Sequence, residues 1–235
     1  MYRIVVAIAL LALYLNANQA RAQTAVQDAP VTDCNKYAAN SLDPQRKTAG
    51  VNFTQLNPSL AVPACESALQ QFPNSARLSY QLARAYQRAG KFDAAATQYQ
   101  SAIEHGSAFA EAGLGLLYML GQGVRRDFSK AVSLFRESAD KGVASAQNAL
   151  GFVYAHGQGV AKDLEQSVTW YHKAAEQGVP NAQLNLGIAY EEGSGGVKQD
   201  FDQAAFWYGK AAAVGLEDAR KRLAGIQAKK KSPAK

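Results

Sequence analysis

Residues with the types and spacing that catalysis or metal binding requires are sparse in this sequence. The histidines, His105, His156 and His172, do not fall into a zinc-binding pattern with cysteine or other ligands. The sequence contains neither the Gly-x-Ser-x-Gly of a serine hydrolase nor a Gly-Lys-Ser/Thr phosphate loop. Glu191 and Glu192 are adjacent, and neighbouring helical side chains point about 100° apart, so they cannot act together on one atom. The sequence therefore predicts a protein that is not an enzyme and uses no metal or cofactor.

The two cysteines, Cys34 and Cys65, are the remaining reactive pair. No Cys-x-x-Cys occurs, which argues against a redox-active dithiol. In an oxidising compartment an even pair of cysteines usually forms a disulfide, and two free buried thiols are the alternative. Export of the chain favours the disulfide.

The N-terminus has the three-part pattern of a secretory signal peptide. Arg3 provides the positive charge, residues 4–15 form an apolar run, and Ala20-Arg21-Ala22 provides a cleavage site before Gln23. An uncleaved membrane anchor is the alternative, but the run is shorter than the roughly 20 residues that span a bilayer. We therefore expect residues 1–22 to be removed and the protein to be periplasmic or secreted.

The distribution of charge argues against nucleic acid as a partner. The chain has 235 residues and a formal net charge of +6, but residues 23–218 contain 16 basic and 19 acidic residues. The excess of positive charge lies in the signal peptide and the C-terminal tail. A nucleic-acid-binding fold needs a basic face, and the body of this chain is slightly acidic.

An internal repeat with a period of 36 residues organises the second half of the chain. Gly115, Gly151 and Gly187 keep this spacing, and a tyrosine follows each of them three residues later. The turn strings GQGV, GQGV and GSGGV begin at residues 121, 157 and 193, and are followed by Asp127, Asp163 and Asp200. The pattern predicts two helices per unit: the first glycine lets the helices approach closely, the Gly-x-Gly turn supplies positive φ, and the aspartate caps the second helix.

These units resemble Sel1-like repeats, the longer-looped relatives of the tetratricopeptide repeat (TPR). The string ALGFVYAHGQGVAKDLEQSVTWYHKAAEQGVPNAQ, from residue 149, carries the resemblance most clearly. Upstream, RLSYQLARAYQRAGKFDAAATQYQSAIEHGS, from residue 77, resembles an ordinary TPR unit. The resemblance implies an all-α fold, a right-handed α-solenoid of antiparallel helix pairs.

The resemblance also implies a division of the chain. Cys65 falls in the second helix of a degenerate first unit, so a disulfide to Cys34 would pin an irregular cap over the open end of the stack. The expected segments are a signal peptide at 1–22, an irregular cap at 23–58, degenerate and full TPR-like units at 59–107, three Sel1-like repeats at 108–215, a capping helix at 216–225 and a basic disordered tail at 226–235.

In TPR-like stacks the first helices line a concave groove, which implies a set of binding residues. The expected groove is basic at one end, apolar in the middle and acidic at the other end, and it suits an extended or helical peptide. For several of these positions, inter-repeat core is the alternative. The candidate binding residues are Arg77, Tyr80, Arg84, Gln87, Arg88, Phe109, Met119, Asn148, His156, Asn181 and Glu191.

The function that the resemblance implies is protein binding without catalysis. We expect a periplasmic adaptor or regulator that holds a segment of a partner protein in its groove. A cell-wall protein that uses the groove for peptidoglycan, as binder or enzyme, and a secreted effector directed at a host are the alternatives. The sequence identifies no particular partner.

Overall fold

The computed structural model of the chain describes residues 30–40 and 51–231, and the predicted signal peptide lies outside these ranges. Within them the fold is all-α, with eleven α-helices that pack as consecutive pairs, as in a Sel1/TPR-like solenoid. The handedness of the superhelix stays a prediction. The one β feature of the described ranges is an isolated parallel bridge between Asn40 and Val51.

The chain divides into two compact units, with the boundary between Ala110 and Glu111. The first unit begins with a short helix and a 3-10 turn, Phe53–Gln55, and continues with longer helices. Its α-helices are α1 (Asp33–Ala38), α2 (Pro58–Gln71), α3 (Ala76–Arg88) and α4 (Phe92–Glu104). The segment predicted to be an irregular cap therefore includes an α-helix, α1, which the Asn/Asp/Pro-rich composition did not indicate.

The second unit consists of the three long-looped repeats and one further helix. Helix α5 crosses the boundary between the units. The α-helices are α5 (Ala108–Leu120), α6 (Phe128–Asp140), α7 (Ala144–His156), α8 (Leu164–Glu176), α9 (Pro180–Glu192), α10 (Phe201–Ala213) and α11 (Glu217–Lys231).

Side-chain caps explain where the second helix of each repeat begins. The carboxylate of Asp127 accepts the backbone N–H of Lys130, that of Asp163 accepts the N–H of Gln166, and that of Asp200 accepts the N–H groups of Asp202 and Gln203. All three aspartates have extended backbones. Each therefore satisfies donors that the first helical turn leaves without a partner.

The repeated glycines lie where helices of one repeat cross. A Cβ atom built on Gly151 would lie 2.5 Å from the ring of Tyr171, and one on Gly187 would lie 2.5 Å from the ring of Tyr208. At Gly115 the ring of Phe135 would be 2.7 Å away. Because real atoms do not approach this closely, only glycine lets the aromatic ring of the second helix pack on the first.

The C-terminal helix is longer than the sequence indicated. Helix α11 continues to Lys231, whereas we expected the capping helix to end at residue 225 and a disordered tail to begin at 226. The reason is Ile226, which is 1% exposed and packs with Ala204 and Tyr208. No helix of the described residues is both long enough and apolar enough to span a bilayer.

Candidate functional site

The predicted basic end of the groove is occupied by the protein's own N-terminal residues. We call residues 30–40 and 51–56 the cap segment. Arg84 of α3 is 4% exposed, and its guanidinium donates to the backbone carbonyls of Ala38 at 2.6 Å and Val51 at 2.9 Å. Arg84 thus joins the two parts of the cap segment to α3.

Other predicted binding residues on α3 contact the same segment. Arg77 donates to the carbonyl of Pro30 at 3.5 Å, and Arg88 donates to the carbonyl of Thr54 at 3.4 Å. The hydroxyl of Tyr80 accepts a hydrogen bond from the side chain of Asn40 at 2.8 Å, and Tyr80 is only 7% exposed. The cap segment therefore takes the position on α3 that we expected for a partner.

These contacts correct two of the predicted binding residues. Arg84 and Tyr80 are buried under the chain itself, so neither can contact a partner while the cap segment is in place. Gln87 is partly buried and accepts a hydrogen bond from Tyr99 at 2.6 Å. Burial raises the pKa of the Tyr99 hydroxyl, so this donor keeps its proton over the physiological range.

The disulfide fixes the cap segment to the unit. Cys34 of α1 is bonded to Cys65 of α2, with the two Cα atoms 4.4 Å apart, and both residues are fully buried. Beside them the amide of Asn35 donates to the side chain of Gln81 at 3.3 Å. The bond therefore links α1, and with it the first part of the cap segment, covalently to α2.

Four further candidate binding residues are divided between the two units: Phe109 lies in the first, and Met119, His156 and Asn181 lie in the second. In the first unit the ring of Phe109 lies 5.8 Å from that of Tyr80, and Phe109 is partly buried. In the second unit Met119 is partly buried, Asn181 is exposed, and His156 is exposed and stacks on Phe152 with centroids 4.2 Å apart. The Nδ1 atom of His156 lies 2.9 Å from the carbonyl oxygen of Phe152, within hydrogen-bonding distance.

Asn148 has a polar atom that the fold does not satisfy. Its side chain is partly buried, and its Oδ1 atom is buried without a hydrogen-bond partner in the described part of the chain. A buried amide oxygen without a donor is costly. A ligand N–H at this position would supply the missing bond.

At the predicted acidic end of the groove, the carboxylate of Glu191 is paired with side chains of the same chain. The carboxylate of Glu191 accepts hydrogen bonds from Tyr208 at 2.7 Å, Arg222 at 3.1 Å and Lys229 at 3.2 Å. Burial raises the pKa of this carboxyl, but the bonds from Tyr208, Lys229 and Arg222 lower it more, and the net pKa lies below the ordinary value. Helix α11 thus places cations over this end of the repeats, which reverses the charge that the sequence indicated.

A shallow groove runs between α9 and α11. It has a volume of ≈540 Å³ and is lined by Leu184, Ile188, Asp218, Lys221 and Arg222. The sequence interpretation missed the three residues of α11, because it ended the repeats at residue 215 and assigned the basic residues beyond them to a cap and tail. The repeat register could have found them, since Ala219 and Leu223 occupy first-helix positions.

His172 and Glu176 form a histidine–carboxylate pair on one helix of the second unit. The Nδ1 atom of His172 lies 3.5 Å from Glu176, but no group of three metal-binding side chains occurs in the ranges 30–40 and 51–231. Other polar side chains form pairs that recur at the same positions in successive repeats. Glu111 pairs with Lys141, and Gln147 forms the equivalent bond with Gln177 at 2.7 Å in the next repeat.

Comparisons with known proteins agree with this architecture. The Sel1 repeat family model matches residues 108–143, 144–179 and 180–216, and a tetratricopeptide repeat model matches residues 55–113. No curated protein sequence matches the chain. The fold defines an all-α scaffold of repeated helix pairs, a class that generally binds other proteins. Within that class, the chain is a Sel1 repeat and TPR-like repeat protein.

Solved structures of bacterial Sel1 repeat proteins are similar to this chain. The c5321 protein of uropathogenic Escherichia coli, described as a protective antigen with an SLR fold, is 30% identical over 73% of this chain and 37% of its own, with a TM-score of 0.62. A Sel1 repeat protein from Oxalobacter formigenes is 28% identical over 74% of this chain and 50% of its own, with a TM-score of 0.65. The chain therefore spans half or less of the length of these relatives.

Proposed function

We propose that this protein is a non-enzymatic adaptor or regulator of the bacterial envelope, periplasmic or secreted, that binds a segment of another protein. The repeat architecture supports protein binding in general. The N-terminal signal pattern and the disulfide both support a compartment outside the cytoplasm. The one observation that carries the proposal is the exposed first-helix surface of the second unit, marked by the stacked pair Phe152 and His156.

The binding surface that we propose lies on the second unit and not, as the sequence suggested, on the first. The surface of α3 is covered by the cap segment, which the buried disulfide retains. In the second unit the first helices α7 and α9 keep partly exposed apolar side chains between polar ones, among them Phe152, Leu184 and Ile188. A surface of this composition suits a peptide that contributes both apolar side chains and main-chain hydrogen bonds.

Site-specific photo-crosslinking in the native host tests this proposal. A photoreactive amino acid is placed at His156, on first helix α7, or at Thr169, which is exposed on second helix α8. We expect a protein adduct of one discrete mass from position 156 and none from position 169. An adduct from position 169 alone would place the partner on the opposite helices. Adducts with muropeptides instead of protein would favour the peptidoglycan alternative.

A further inference from the structure

The groove between α9 and α11 has the features of a small, preformed binding site. Its floor is apolar, formed by Leu184 and Ile188, and its rim carries Asp218, Lys221 and Arg222. A volume of ≈540 Å³ is in the range of roughly 300–1,000 Å³ typical of ligand sites. Such sites combine apolar surface with a few polar groups that fix orientation.

The repeat register shows how this groove arises. Asn148, Leu184 and Lys221 are each the fifth residue of their first-type helix, α7, α9 and α11. Phe152, Ile188 and Gly225 are each the ninth. Helix α11 therefore continues the series with a lysine where the preceding repeat has a leucine, and with a glycine where both preceding repeats have a large apolar side chain.

Gly225 lies one helical turn after Lys221 on the same face of α11. A Cβ atom built on Gly225 would have no neighbour within 4 Å, so no packing contact demands glycine there. Gly225 is not at a positive φ either. In the middle of a helix, glycine is less stable than alanine by about 0.5–1 kcal/mol. Neither the packing nor the backbone conformation at residue 225 requires it.

Helix α11 is attached to its neighbours by hydrogen bonds and by one buried side chain. Glu191 accepts hydrogen bonds from Arg222 and Lys229, and Ile226 is buried against α10. Lys221, by contrast, makes no ion pair with any described residue. The rim therefore presents one uncommitted ammonium beside a guanidinium with donors to spare.

From this geometry we infer that the groove binds the C-terminal end of a partner chain: the terminal carboxylate on Lys221 and Arg222, and an aliphatic last side chain on Leu184 and Ile188. A terminal residue offers a carboxylate and an apolar side chain from one Cα atom, which matches a cation next to an apolar floor. An internal Asp or Glu carries its carboxylate at the end of its own side chain, so a second residue would have to supply the apolar group for the floor. Asp218 on the same rim repels further acids and so disfavours an acidic tract.

This inference rests on the proposed function and names the partner segment that the scaffold would hold. The probes are five fluorescent pentapeptides, Gly-Ser-Gly-Val followed by Leu, Ile, Val, Phe or Met, each with a free C-terminus. The same peptides with a C-terminal amide are the matched set. Fluorescence anisotropy with the mature full chain gives the affinities.

We expect at least one free-acid peptide to bind about 10-fold or more tightly than its amide, because charge-assisted bonds to the carboxylate are lost in the amide. Lys221→Glu should remove this preference, and Gly225→Leu should weaken binding by about 10-fold because the side chain fills the groove. Arg220→Glu is the control, since Arg220 is exposed and pairs with Glu217 outside the groove.

Equal affinity for acids and amides, or no binding by any of the five peptides, would overturn the inference. Binding that survives both Lys221→Glu and Gly225→Leu would also overturn it. The crosslinking experiment at His156 separates this failure from failure of the proposed function. If position 156 still gives its protein adduct, the scaffold function stands and only the carboxylate site is wrong.

Discussion

At the residue scale, glycines rather than polar side chains determine the geometry of the repeats. Gly151 allows the ring of Tyr171 to lie where a Cβ atom would stand, and its carbonyl accepts a hydrogen bond from Ser167 at 2.8 Å. Burial of Tyr171 raises its pKa to about 12, so the phenol stays neutral in this contact. The crossing is therefore tightly packed.

Gly151→Ala should destabilise the protein by about 1–3 kcal/mol, because the new methyl group overpacks the helix crossing. The measurement is thermal unfolding followed by circular dichroism. Gly209→Ala is the matched control: Gly209 is also helical, but a Cβ atom there meets nothing within 4 Å. This control should be unchanged or more stable by about 0.5–1 kcal/mol. The opposite order of melting temperatures would contradict the assigned contact.

A second prediction at this scale separates Arg84 from Arg88. Arg84→Glu should lower the free energy of unfolding by at least about 1–3 kcal/mol, because a buried carbonyl and a partly buried one lose their donor. Arg88 is exposed and makes one long bond, so Arg88→Glu should stay within about 0.5 kcal/mol of the parent. Chemical denaturation measures both. Equal stability of the two variants would show that Arg84 does not hold the cap segment.

At the scale of elements, the Gly-x-Gly turns of the second and third repeats pack against the preceding repeat. A Cβ atom on Gly159 would lie 2.7 Å from the backbone of Phe128 at the start of α6, and one on Gly195 would lie 2.5 Å from the backbone of Leu164 at the start of α8. The turns therefore set the spacing between successive helix pairs. This role explains why two glycines recur in the turn when one would be enough to end a helix.

Gly159→Ala should destabilise the protein more than Gly178→Ala does. Both glycines have positive φ, +75° and +83°, so alanine is strained at either position. Only Gly159 also meets neighbouring backbone, which cannot move as a flexible side chain would. We expect an extra loss of about 1–3 kcal/mol for Gly159→Ala, measured as the difference in unfolding free energy between the two variants. No difference would mean that the turn does not contact α6.

The contribution of the Glu191 contacts to the attachment of α11 should be lost at low pH. The pKa of Glu191 in the folded state is lowered, so its contribution to stability is present above the unfolded pKa, about 4.3, and is lost as the pH falls through the folded pKa. Glu191→Gln should therefore melt below the parent at pH 7, and the two should converge at the acidic end of a pH series from 7 to 2.5. A difference that is constant over this range would contradict the role of the Glu191 charge.

At the scale of the whole molecule, the chain forms two compact units that cap their ends differently. The first unit covers α3 with a cap segment retained by a disulfide, and the second ends in α11, which buries Ile226. Repeat arrays need such ends, because a terminal repeat would otherwise expose the surface that its neighbours bury elsewhere. Here the N-terminal end requires an oxidising compartment to form its covalent link.

Replacing Cys34 and Cys65 together by serine should cost about 2–4 kcal/mol, because the bond closes a loop between residues 31 positions apart. The loss should be local, since stability in repeat arrays is largely a sum of neighbouring terms. Hydrogen exchange should therefore show faster exchange in α1, α2 and α3, with α9 and α10 unchanged. Loss of protection throughout both units would contradict this expectation.

The sequence by itself determined the repeats, because their information is local and periodic. The glycine spacing, the turn strings and the aspartate caps act over a few residues, so helix pairs from 108 to 215 and the family could be predicted without coordinates. The tertiary structure decided which of the candidate binding residues are accessible. Arg84 reads as a surface arginine from helical spacing alone, and only the folded chain brings the carbonyls of Ala38 and Val51 to it from far along the sequence. The sequence likewise predicts Glu191 to be a free carboxylate, whereas in the folded chain Arg222 and Lys229 of α11 donate hydrogen bonds to it. Long-range contacts of this kind depend on which side chains can pack and hydrogen-bond together in space, and no local pattern encodes them.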